Sequence, residues 1–155
     1  MRIYLLAGFL LISGCTTLFS GRMAPDLLDG TFVDDYDILY WISANRWTQH
    51  PDATYHIKKW NEEERYLIAQ NDENNPSDPG LWTRIDWMEL EGTEPFFSWA
   101  FCLSAYDAPT AEAAEQVEIA DRTNPRAGCN GFPFSRMERV IRGNCSSRAP
   151  PGVRC

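Results

Sequence analysis

Arg84 and Asp86 stand two residues apart in Trp82-Thr83-Arg84-Ile85-Asp86-Trp87, so in an extended strand both project from one face, together with Trp82. If that face is interior, the charges form a buried pair, and a buried pair broken on one side costs about 3–5 kcal/mol. Such a pair persists either as a satisfied structural brace or as the polar anchor of a pocket. If Thr83, Ile85 and Trp87 form the interior face instead, the charges stand in solvent. The pocket alternative draws in rings from neighbouring segments, and its candidate lining is Tyr40, Trp82, Arg84, Asp86 and Trp99. Six Trp, six Tyr and eight Phe supply such rings. Aromatic walls suit apolar or sugar ligands, and they equally suit a small β core.

Other reactive groups are sparse. Carboxylates such as Asp34, Asp35 and Asp86 are what a hydrolase would use, but paired acids act only in a cleft that shifts their pKa values. The run Asn71 to Asp78 is rich in oxygen ligands of the kind calcium takes, yet Pro76 interrupts it and EF-hand spacing is absent, so it reads as a solvated loop. His50 and His56 flank Pro51, with His56 on a strand surface and no partner placed for either as a general base. The chain has no nucleophile elbow, no zinc-protease helix, no phosphate loop and no dinucleotide fingerprint. Neither a catalytic residue nor a cofactor is expected, and a binding role gains.

The elements that position these residues are mainly β. Tyr36 to Ile42 is the first strong strand; Ala53 to Trp60, Arg65 to Gln70, Leu81 to Leu90 and Pro95 to Ser104 follow, separated by polar turns. In the last of them Phe97, Trp99, Phe101 and Leu103 share a face, a period-two pattern with a bulky inner side. Thr110 can cap a helix carrying Glu112 in its first turn and Ala113, Ala114, Val117 and Ile119 along it, so one late helix is expected over about residues 110–120. The fold class is a small antiparallel meander barrel or sandwich. Gly128 to Phe134 returns to the sheet or covers its end.

The N-terminus sets the location. Arg2 precedes an apolar run, Ile3 to Ile12, which is about half the length needed to span a bilayer, and Ile12-Ser13-Gly14-Cys15 closes it. This pattern resembles the lipobox of bacterial lipoproteins. The resemblance implies cleavage before Cys15, a diacylglycerol thioether on that cysteine and usually an N-acyl chain, which together hold a domain at a membrane. Thr16 in place of Asp implies, by the same resemblance, the outer membrane facing the periplasm. Residues 1–14 are then a signal, 15–28 a lipidated tether, 29–135 a β domain and 136–155 a basic tail, in which five arginines stand against Glu138. That tail can lie on its own acidic domain or on anionic headgroups.

With Cys15 acylated, four cysteines remain, and an even number in an exported protein suggests disulfides. Of the three connectivities, Cys102 with Cys129 and Cys145 with Cys155 is preferred. The first joins a strand to a Gly-rich turn, and the second closes a Pro-Gly loop. No Cys-x-x-Cys pair exists and both histidines lie far from the cysteines in sequence, so no metal site is expected. The formal charge of −8 argues against nucleic acid as a partner. Gly30-Thr31-Phe32 resembles the Gly-x-Trp signature of lipocalins, with Phe in place of Trp, and implies a calycin-type barrel that carries a hydrophobic molecule. The other expected role is an envelope assembly or interaction factor.

Overall fold

The computed structural model describes residues 23–91 and 96–140. Cys15, the apolar run before it, the Cys145 with Cys155 pair and the tail beyond Val140 lie outside the described residues. Eight strands follow in chain order: β1 (Gly30–Asp34), β2 (Leu39–Ser43), β3 (Arg46–Gln49), β4 (Ala53–Asn61), β5 (Tyr66–Asn71), β6 (Trp82–Glu89), β7 (Phe97–Ala108) and β8 (Ser135–Arg139). Each pairs antiparallel with its neighbour in sequence, and β8 returns to β1 through Phe32 opposite Arg139 and Asp34 opposite Met137. The sheet is thus a closed up-and-down barrel, the mainly β architecture with one late helix that the residue pattern predicts. The helix α1 (Ala111–Glu115) is shorter than expected; the Thr110 side chain accepts a hydrogen bond from Ala113 N–H, and Gln116 caps its C-terminus.

Eight strands enclose a space that side chains can fill, and here rings fill it. Phe32, Tyr40, Trp47, Trp87, Trp99 and Phe101 all point inward and are buried. Trp99 meets Phe32 and Trp47 edge to face, with centroids 5.1 and 5.9 Å apart, and Trp47 meets Phe101 at 5.0 Å. These are the preferred geometries of aromatic pairs. Trp99, Phe101 and Leu103 are therefore the interior face of β7, as expected, whereas an irregularity in the pairing with β8 between Phe97 and Trp99 turns Phe97 to the outer face, beneath the Arg136 guanidinium. On β2 the inward residues are Tyr40 and Ile42; the strand starts at Leu39, later than the expected Tyr36, because Asp37 adopts φ 64° in the turn from β1 and Tyr36 is left in solvent.

The barrel has two unlike ends. At the proximal end the chain enters at Gly30 and leaves after Arg139. Residues 15–28 were expected to be tether alone, but from Ala24 onward they belong to the fold. Pro25 opens a turn closed by N–H groups of Leu28 and Asp29, which folds Leu27 and a fully buried Leu28 against the core. The guanidinium of Arg139 donates to the carbonyls of Asp26, Leu27 and Asp29 and lies 4.6 Å above the Phe32 ring. Arg136 and Arg139, assigned by sequence to a basic tail, sit in β8, so the β domain continues past 135. The distal end carries the β1–β2, β3–β4 and β5–β6 connections and the start of the long segment from β7 to β8.

That segment does not hang free. Cys102 on the outer face of β7 is joined to Cys129 by a disulfide across 27 residues, the pairing preferred from sequence. Around it Ala100, Ala120 and Phe134 form a small apolar layer outside the barrel. In the chain-entropy view, closing a loop of this size stabilises the fold by about 3–4 kcal/mol.

Candidate functional site

The five residues expected to line one pocket do not converge. Tyr40 and Trp99 point into the barrel, whereas Trp82, Arg84 and Asp86 lie on its outer face, because Thr83, Ile85 and Trp87 take the interior. Neither reading of the strand foresaw the outcome for the charges. They face outward and are nonetheless buried, Arg84 at 2% and Asp86 at 0% exposure, because α1 and the segment after it cover them. Arg84 reaches Asp86 through Nε and Nη2 at 3.0 and 3.1 Å, and its Nη1 donates to the Glu115 carbonyl at 2.7 Å. Arg122 adds a bond to Asp86 Oδ1 at 3.1 Å and others to the carbonyls of Glu64, Arg65 and Trp87; the Ser104 hydroxyl donates to Oδ2, the oxygen that also takes Arg84 Nε. The Arg84 guanidinium also stacks 4.1 Å above the Tyr66 ring. With these lone pairs and N–H groups taken up, the pair is a brace that fastens the outer segment to the wall.

The other two carboxylates are equally committed. Asp35 accepts from Arg136 Nε at 2.9 Å. Asp34 is buried at the end of β1; its Oδ1 accepts from the N–H groups of Tyr36 and Ile38, and its Oδ2 from the Tyr40 hydroxyl, each at 2.9 Å. Burial raises the Asp34 carboxyl above its ordinary 3.8, outweighing those bonds, and burial followed by the Asp34 charge pushes the Tyr40 phenol up as well. A raised carboxyl binds its proton more tightly folded than unfolded, so stability from this group falls as pH rises from 3.8 through the raised value. Asp34→Asn keeps an acceptor for the turn and loses the charge. Denaturant titrations between pH 3.5 and 7 should show the variant gaining on the wild type as pH rises; parallel curves would refute the assignment.

A cleft of about 460 Å³ opens at the distal end, between the β3–β4 turn and the β5–β6 loop, with β7 behind it. The loop is not simply solvated, as the sequence suggested. Asn75 is buried and exchanges two bonds with the backbone of Thr54, while Asn71 donates to the carbonyls of Asp78 and Tyr106 and accepts from Thr83. Both asparagines are thus occupied in holding the wall. Asp72 takes His56 Nε2 at 2.8 Å and the Asn74 N–H at 2.9 Å, and these bonds, the backbone one foremost, hold its carboxyl down at about 2.

The open polar groups of the cleft come from Gln49, His50, Asp52, Tyr55 and Asp78, with the half-exposed Tyr106 at its rim. Tyr55 matters most. The residue is 9% exposed and packs in the barrel core, it lines the cleft, and its hydroxyl has no hydrogen-bond partner among the described residues. Burial and the nearby Asp78 charge raise its phenol, so it stays protonated. The sequence singles out only His50 and, as the end of the oxygen-rich run from Asn71, Asp78; the others come from separate elements and carry no shared motif. Among the described residues no group of three or more His, Cys, Asp or Glu side chains is placed to hold a metal ion. No family model, curated protein or solved structure matches the chain.

Proposed function

We propose that this chain is a lipid-anchored binding module of the bacterial envelope that takes a small molecule in the cleft at its distal end. The observation that carries the reading is the opposition of the two ends: the chain enters and leaves the barrel at one, and the cleft opens at the other. A lipid on Cys15 would be joined to the plug at Ala24 by nine residues, a reach of at most about 30 Å. The barrel then stands on its closed end with its cleft directed away from the bilayer. Rings occupy the barrel interior, which supports a ligand at the mouth rather than a hydrophobic molecule carried inside. Asp34, Asp35 and Asp86 are bound into turns and braces, which favours a binder over a carboxylate hydrolase.

The interaction-factor reading has its own support in Phe96 and Phe132, 64% and 70% exposed, although closure of the barrel leaves no free sheet edge for strand addition among the described residues. Two measurements on the expressed full chain test the proposal. Wild type should sediment with membranes and yield an N-terminal peptide bearing diacylglycerol, whereas Cys15→Ala should be soluble and melt at the same temperature. Recovery of wild type in the soluble fraction with an unmodified Cys15 would overturn the anchor.

A further inference from the structure

Resting on that reading of the cleft, we infer that its ligand is a small organic cation, an alkylammonium group received between Asp52 and Asp78 with the Tyr55 hydroxyl beneath it. The charge distribution argues for this. The three distal connections, residues 35–38, 50–52 and 72–81, hold Asp35, Asp37, Asp52, Asp72, Glu73 and Asp78 and contain no Lys or Arg. Two of these acids have partners that remove them from service, since Asp35 is bound to Arg136 and Asp72 to His56. Asp52 and Asp78 line the cleft without an ion-pair partner among the described residues, and His50 is the single basic side chain in its wall. Concave walls of one sign concentrate the potential and raise the local concentration of counter-charged ligand.

The acids alone would mean little, because exposed carboxylates are well solvated. Tyr55 adds the independent observation. A phenol set in an apolar core, with its oxygen opening into a cleft and left without a partner, is a polar group placed for something outside the chain. A phenol oxygen can accept from an ammonium, whose three N–H groups need three acceptors, and Asp52 from the β3–β4 turn, Asp78 from the facing β5–β6 loop and Tyr55 from β4 are three acceptors lining the same cleft. Tyr106 at the rim offers a ring face, which attracts a cation or its methylenes. An anionic ligand would meet two carboxylates with only an imidazole to offset them, and a neutral sugar would leave both acids unneutralised.

The test is calorimetric titration of the full chain in detergent with spermidine, and separately with maltose. Spermidine should bind, with affinity falling as salt rises, because exposed charges are screened. Asp52→Asn and Asp78→Asn should each weaken it roughly tenfold, about 1.4 kcal/mol, and Tyr55→Phe severalfold. All three variants should melt within a few degrees of wild type, since these side chains hold no bond in the fold. Spermidine binding that survives in the Asp52→Asn, Asp78→Asn double variant would mean diffuse attraction to an acidic surface, and would overturn the inference. Maltose binding, abolished by Tyr55→Phe and without spermidine binding, would overturn the cation while leaving the cleft as the binding site. If neither probe binds, both the cation and this cleft as a small-molecule site are overturned.

Discussion

Asp86→Ala is expected to cost about 3–5 kcal/mol and to lower the melting temperature by roughly 10 °C. The loss exceeds that of an ordinary ion pair because of what remains behind. Arg84 keeps its bond to the Glu115 carbonyl and its stacking on Tyr66, but two of its N–H groups lose their acceptor at a position only 2% exposed. Arg122 loses one bond of four and is better placed to rehydrate, its side chain being 23% exposed. Breaking the brace from the other side should therefore be milder. Arg122→Ala is expected to cost about half as much, because Asp86 retains Arg84 and Ser104. Denaturant unfolding followed by circular dichroism measures both, and an Asp86→Ala variant within 1 kcal/mol of wild type would show that the charges are not braced as described.

Trp99→Ala is the second large loss, about 3–5 kcal/mol, since it empties the centre of the ring cluster and neighbouring rings cannot all close the space. Trp99 is fully buried against Phe32, Trp47 and Phe101. It also carries a penalty, because its Nε1 is buried with no acceptor among the described residues, whereas the equivalent N–H of Trp60 donates to the Ala44 carbonyl at 2.8 Å. An orphaned buried donor costs about 1–3 kcal/mol. Trp99→Phe removes that donor together with part of the ring volume, and the two effects oppose each other. It should fall within about 1.5 kcal/mol of wild type. A Trp99→Phe loss as large as that of Trp99→Ala would mean that the indole N–H has a partner.

The legible parts of the fold were those where chemistry and period agree. β7 announced itself through four bulky residues at spacing two, α1 through Thr110 and Glu112, and the Cys102–Cys129 bond through a cysteine in a strand and another in a turn. Strands β3 and β8 escaped notice because each has one large inward residue, Trp47 or Met137, among polar or charged neighbours. β1 was seen as a signature and not as a strand. The charges of β6 show a different limit. Period-two logic placed Arg84 and Asp86 on one face correctly, but only tertiary structure reveals that the outer wall of a barrel has a second cover. The cleft was illegible for a related reason, as Asp52, Tyr55 and Asp78 meet through strand pairing and not through spacing.

Closure of the barrel by β1 and β8 has a consequence in time. The seam joins Phe32, Val33 and Asp34 to Arg139, Glu138 and Met137, so the first strand made waits for the last. Until residue 139 has emerged from the ribosome, β1 shows an open edge and the ring cluster lacks Met137 as one wall. Contacts of such long separation are slow to form, and unpaired edges invite association with other chains. A nascent copy is therefore an incomplete cylinder until β8 is available, and crowding of such unfinished copies is the stage at which they are most prone to pair with one another.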